Sequence, residues 1–182
     1  MGQGVRRRPA AAARGGRGAD PPALRRGLRA ADRGAVLTTV EFSGRVDLLH
    51  PPEAVFRYLA DPRNRPEWQS SLMSVTLEDR DAEPHVGQAW RDNTMAGVRP
   101  RMRTTELTPF RLWTEEGTWG GITATLRLRF TAITSGTRID ATGSLTGSGA
   151  WSVPVRVAGR LAGPAIRHDL ARAGDVLART HR

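Results

Sequence analysis

The chain has 182 residues, 38% of them hydrophobic and 25% charged, which is the usage of one soluble globular domain. Arginine or acidic residues interrupt every apolar stretch before it reaches the ~18–20 residues that a bilayer crossing needs. Cysteine is absent, which excludes disulfides, thiolate nucleophiles, zinc knuckles and iron–sulfur ligation together. The formal charge is +10, from 28 basic residues, every one an arginine, against 18 acidic ones.

That charge is unevenly placed. Residues 1–34 hold nine arginines against Asp20 and Asp32, a net of +7, whereas residues 35–182 carry a net of only +3. The first segment is Arg, Ala, Gly and Pro, with Val5, Leu24 and Leu28 as its only larger aliphatics. These are too few to offset the entropy of ordering it, so residues 1–34 are predicted to be a disordered tail and residues 35–182 the folded domain. Arg6, Arg7 and Arg8 lack the ~7–15 residue apolar region of an export signal, so a cytoplasmic protein is expected. An arginine-rich arm can bind phosphates without sequence preference, but no aromatics interleave it, and no specific nucleic-acid partner is expected.

From Val36 the pattern alternates, with Val40, Phe42, Val46 and Leu48 opposite Glu41, Ser43, Arg45 and Asp47, as in a strand. His50-Pro51-Pro52-Glu53 stops it and opens a helix, with proline in the first turn and a carboxylate at the positive helix end. Val55, Phe56 and Leu59 form its apolar stripe, and Asp61-Pro62 ends it. A second short helix near Asn64–Pro66 presents Trp68. Period-two runs then follow over 73–77, 88–95, 99–107, 112–119, 122–133 and 139–145, each bounded by proline or glycine. Together they predict a six-strand antiparallel meander, with the first strand added at an edge. From Val153 the period becomes helical through Val157, Leu161, Ile166, Leu170, Ala173 and Leu177, interrupted by Gly163-Pro164, where a kink is predicted.

Strand, two short helices, six strands and a long helix, in that order, resemble the START-like, helix-grip (SRPBCC) superfamily, and within it the polyketide cyclase/dehydrase branch. The resemblance covers about residues 37–180. It rests on LLHPPEAVFRYLADPRNRPEW, VGQAW, ELTPFRLW and SGTRIDATG ahead of the terminal helix. It implies an α+β helix-grip fold, in which a curved antiparallel sheet of about seven strands holds the C-terminal helix across a mostly apolar cavity. Strand and helix phase then put Phe42, Met102, Leu112, Leu126, Leu128, Phe130, Ala141, Val157 and Leu161 on the facing surfaces. Trp68, Trp90, Trp113 and Trp119 are candidates for its wall or mouth, because an indole carries one polar atom on an apolar body.

Catalytic constellations are absent from the sequence. His50, His85, His168 and His181 show no metal-ligand spacing, so no metal and no cofactor is expected. Ser70 and Ser71 have no nucleophile-elbow context. Glu115 and Glu116 are adjacent in a strand and point to opposite faces, so they cannot share a pocket. With Arg99, Arg101 and Arg103 turned to solvent, the period of two would bring Met102, Thr104 and Glu106 inward. Glu106 is therefore the weak catalytic candidate.

The resemblance leaves two function classes open. One is binding or transport of a hydrophobic small molecule such as a lipid, isoprenoid or polyketide. The other is a cyclase or aromatase that folds a poly-β-carbonyl chain and assists enolisation and dehydration. An ionisable side chain facing the cavity is what separates them. A third class, interaction with ribosomes, would require a basic surface patch outside the tail.

Overall fold

The structure, a computed structural model, describes residues 36–180. The tail expectation for residues 1–34 lies outside them. Strand β1 (Leu37–Leu48) leads through His50-Pro51 into α1 (Pro52–Ala60). Pro52 occupies the first helical turn, where its missing N–H costs nothing, and Glu53 faces the positive helix end. A 3₁₀ turn at Pro62–Asn64 follows, capped by the Asp61 carboxylate, which accepts from the Arg63 N–H at 2.9 Å. It runs directly into the four-residue helix α2 (Arg65–Trp68).

The meander then descends through β2 (Leu72–Leu77), β3 (Ala89–Thr94), β4 (Arg101–Thr108), β5 (Leu112–Trp119), β6 (Ile122–Ile133) and β7 (Gly136–Ser148). A second 3₁₀ turn at Gly149–Trp151 opens α3 (Ser152–Thr180), a single 29-residue helix with Pro164 inside it. The sheet order is β1-β7-β6-β5-β4-β3-β2, all antiparallel, so six consecutive strands form a meander and β1 closes on the last of them. This is the curved seven-stranded helix-grip architecture expected from the sequence.

Pairing of β1 with β7 runs unbroken from Leu37↔Ser148 to Leu48↔Thr137. On its outer face Arg45 donates to Asp140 at 2.6 Å and Arg138 to Asp47 at 2.8 Å, each across directly opposed positions. On the inner face the core gathers at one end of the sheet, where α1 and the second half of α3 pack over Leu128, Phe130, Ile139 and Ala141. Phe56 meets Phe110 and Phe130 edge-on at 5.6 and 5.4 Å between centroids, a favourable arrangement for rings with negative faces and positive edges.

The first half of α3 departs from its predicted phase. Its buried line is Val155, Gly159, Gly163, Ile166, Leu170, Ala173 and Leu177, while Val153, Val157 and Leu161 are turned to solvent, the last two 54% and 65% exposed. The reason lies in the glycines. A Cβ on Gly159 would stand 2.4 Å from Val40 Cγ1, so it is the lack of a side chain that seats the helix on β1. Counting apolar residues finds the stripe but not this line of closest approach.

Candidate functional site

Where the helix and the sheet diverge they enclose a cavity of about 450 Å³. Its apolar wall comes from Phe42 of β1, Met102 of β4, Ala124 and Leu126 of β6, and Ala162, Ala165 and Ile166 of α3. Trp119 and Ile122, at either end of the β5–β6 turn, lie at one side, and Thr94, Val98 and Pro100 of the β3–β4 connection at another. Trp119 is held by Trp151, edge-on at 5.0 Å. Within β6 one inner face serves two purposes: Ala124 and Leu126 line the cavity, and Leu128 and Phe130, further along, are core.

One region of this wall is strongly polar. Arg65, Asp92 and Glu115, from α2, β3 and β5, are all buried and all line the cavity. The Arg65 guanidinium donates through Nη1 to Glu115 Oε2 and through Nη2 to Asp92 Oδ2, the latter at 3.1 Å. Its Cζ lies over the rings of Trp68 and Trp90, at 5.8 and 5.5 Å from the centroids. The Trp90 indole N–H donates to the other Asp92 oxygen at 2.9 Å, which fixes that carboxylate. Gln69, the residue after α2, and Asp169 of α3 complete the polar region, Asp169 accepting from the Ser70 N–H at 3.1 Å.

Two carboxylates share one guanidinium. Burial pushes the Glu115 carboxyl up to about 7; Arg65 opposes this and the negative charge of Asp92 adds to it. Arg65 itself is held above its ordinary value: burial disfavours its charge, but Glu115 and Asp92 outweigh that cost. Near neutral pH the cluster therefore contains a carboxyl able to give or take a proton beside a permanent cation.

Of the residues expected at the cavity, Phe42, Met102, Trp119 and Leu126 line it. Trp68, Trp90 and Trp113 are instead fully buried core. The indoles of Trp90 and Trp113 find their polar partners inside, at Asp92 and at Thr104 Oγ1, so neither needs a wet mouth. Leu128, Phe130 and Ala141 belong to the core beneath α1. Leu112 lies in the opposite phase of β5 to the buried Trp113, Glu115 and Gly117. Val157 and Leu161 face solvent.

Glu106 is also corrected. A register shift between Thr104 and Glu106 inserts one residue into β4, so the inward phase passes from Met102 and Thr104 to Leu107. Glu106 emerges on the outer face, accepting from Thr114 Oγ1 at 2.7 Å and lying 3.6 Å from Arg127. Glu115 and Glu116 do take opposite faces, Glu115 inward and Glu116 near Arg103 outside.

Arg65 and Asp92 do not stand out in the sequence, and Glu115 stands out only beside Glu116, yet a signal for the two carboxylates exists. Trp90 and Asp92, and Trp113 and Glu115, are each two apart on a strand, so a carboxylate shares the face of a core indole in both. Two inward carboxylates require a buried cation, and Arg65 is the arginine next to them.

The model of one protein family, described as polyketide cyclase / dehydrase and lipid transport, matches residues 39–180. The chain belongs to that family. Its fold is similar to that of a protein of unknown function from Rhizobium leguminosarum, at 16% identity and a TM-score of 0.60 over 79% of this chain and 97% of the other. It is similar also to two di-domain ARO/CYC proteins. StfQ, from the steffimycin biosynthetic pathway, matches at 15% identity and TM-score 0.62, over 79% of this chain and 52% of that one. BexL, from the BE-7585A pathway, matches at 18% and 0.61, over 75% and 49%. No curated protein matches the chain in sequence. Among the described residues no group of His, Cys, Asp and Glu could hold a metal ion, and no helix is long and apolar enough to cross a membrane.

Proposed function

We propose that the protein binds an uncharged or weakly polar hydrophobic small molecule in the cavity between α3 and the sheet. The observation that carries this reading is the cavity's make-up: an apolar wall large enough for several rings, closed on one side by a single concentrated polar region. The apolar wall supplies affinity through burial, and the Arg65–Asp92–Glu115 cluster fixes orientation. Native mass spectrometry of the purified chain should show a bound small molecule that is lost on organic extraction. Extracted protein should then bind a polycyclic fluorophore and lose that binding when Leu126 is replaced by Asp. Extracted protein that takes up no apolar probe overturns the reading.

A second reading, catalysis of the cyclase or aromatase type, is favoured by one specific feature, the placement of an ionisable carboxyl on the cavity wall. Glu115, with its carboxyl near 7, can remove a proton from carbon between two carbonyl groups and later protonate a departing hydroxyl. Arg65 would hold the developing enolate oxygen by hydrogen bonding. Glu115→Gln keeps shape and loses proton transfer. Turnover of a poly-β-ketone that disappears in this variant while binding persists supports catalysis; binding without turnover in the parent protein leaves it a carrier.

A further inference from the structure

The first half of α3 turns an apolar face to solvent. Val153, Val157 and Leu161 recur every fourth residue, so they form one row along the helix, and all three are more than half exposed. Over the second half of the same helix the exposed positions become Ala171, Arg172, Asp175 and Arg179, the ordinary surface of a helix packed on one side. Single exposed aliphatics are common, but a contiguous row of them marks a contact surface.

The charge beside this row has one sign. Arg156 and Arg160 precede Val157 and Leu161 by one residue each and form a parallel exposed row, and no Asp or Glu occurs between Asp140 and Asp169. On the outer face of the sheet, Arg45, Arg101, Arg103, Arg127 and Arg138 each lie 3.7 Å or less from a carboxylate. Among the described residues, Arg156 and Arg160 have no such partner. A second copy seated on this face would bring the arginine rows of two copies together with no acid between them. A helix flank is also convex, so a protein partner would need a groove shaped to it. The boundary of a bilayer conforms to what enters it: aliphatic side chains sink toward the acyl region, while guanidinium groups stay among anionic head groups.

We propose that the outer face of α3 between Val153 and Leu161 docks the protein on the surface of an anionic lipid bilayer. Val153, Val157 and Leu161 enter the head-group boundary, and Arg156 and Arg160 hold the anionic head groups. The helix lies on the membrane without crossing it, in keeping with its length and polarity. Ala162, next to Leu161 in the chain, lines the cavity, so docking brings the cavity to the bilayer.

The test uses the full chain, which has no cysteine, so Val157→Cys provides a single attachment point for an environment-sensitive fluorophore. With vesicles of phosphatidylcholine and phosphatidylglycerol in equal parts, this label should shift to the blue and be quenched by nitroxide-bearing lipid. A label at Thr131→Cys, exposed on the outer face of β6, should do neither. In the unlabelled chain, Val157→Ser with Leu161→Ser should weaken vesicle binding at least about tenfold. Arg156→Gln with Arg160→Gln should do likewise, and an unchanged thermal midpoint shows that each variant is folded. Vesicle binding with a silent Val157 label, as docking through the nine arginines of residues 1–34 would give, overturns the proposal. So does unaltered affinity in either double variant, or no binding at all. A label that responds to protein concentration without vesicles, or to polyglutamate and not to vesicles, also overturns it and assigns the face to a second copy or to an acidic protein. The cavity reading stands or falls separately, on uptake of an apolar probe by extracted protein.

Discussion

Arg65 and Glu115, 50 residues apart in the chain, are joined side chain to side chain on the cavity wall, tying a four-residue helix to the middle of the central strand of the sheet. Short helices have little stability of their own. Here the ion pair, the rings of Trp68 and Trp90 and the second carboxylate of Asp92 anchor α2, so the site's charge and the site's geometry depend on the same contacts.

Glu115 gives the protein a characteristic pH dependence. Its carboxyl moves from 4.5 in the unfolded chain to about 7 in the folded protein, chiefly through burial. Between these values the native state holds a proton that the unfolded state has released. The contribution is therefore full below 4.5, declines as pH rises toward 7 and is level above it. The unfolding free energy of the parent minus that of Glu115→Gln should fall by on the order of 3 kcal/mol across that window. A difference that stays flat with pH would contradict the assignment.

Gly117 controls the room available beside Met102. A Cβ there would stand 2.6 Å from Met102 Sδ, the far end of a flexible side chain. Both residues line the cavity, so Gly117→Ala should drive the thioether into it. Binding of a polycyclic probe should weaken several-fold, with a stability change below about 1.5 kcal/mol. Unaltered affinity would show that ligands do not reach this wall.

The seat of α3 on β1 should be intolerant in a way that its outer face is not. Gly159→Ala gains helix propensity of about 1 kcal/mol. Its new methyl, however, would meet Val40 Cγ1 at 2.4 Å and Cβ at 2.7 Å, so backbone must move. Overpacking of this kind costs about 1–3 kcal/mol and should win, lowering the thermal midpoint. Leu161→Ser, at a position 65% exposed, should change stability by less than about 0.5 kcal/mol. Denaturant titration of both variants checks the contrast.

Glu106→Gln should leave ligand binding unchanged. Its carboxylate is about half exposed and its partners, Thr114 and Arg127, lie on the outer face. An exposed pair of this kind contributes about 0–1 kcal/mol. Altered affinity in this variant would mean that the outer face communicates with the cavity.

Much of the architecture is legible because periodicity carries it. Alternation in 122–133 and 139–145 and the breakers between runs mark β6 and β7, and the Pro52-Glu53 start marks α1. The site is less legible because three local events override periodicity. One extra residue after Thr104 inverts the phase of β4 and sends Glu106 outward. Glycines, invisible to a search for apolar stripes, define the contact line of α3. Tryptophans that bring their own polar partners sink into the core, and the charges beside them go inward too.

The pairing of β1 with β7 has a consequence for the order in which the protein is made. At about 5–20 residues per second, the first strand waits on the order of 10 s for Thr137, the partner of Leu48, to be added to the chain. When β7 arrives, the two charged pairs act as a proofreading device. Sliding β1 by two residues in one direction sets Arg45 opposite Arg138, and sliding it by two in the other sets Asp47 opposite Asp140. Either slip keeps the apolar face inward, so hydrophobic burial cannot reject it. Like charges directly across the ladder can, and the correct alignment alone places each arginine against an aspartate.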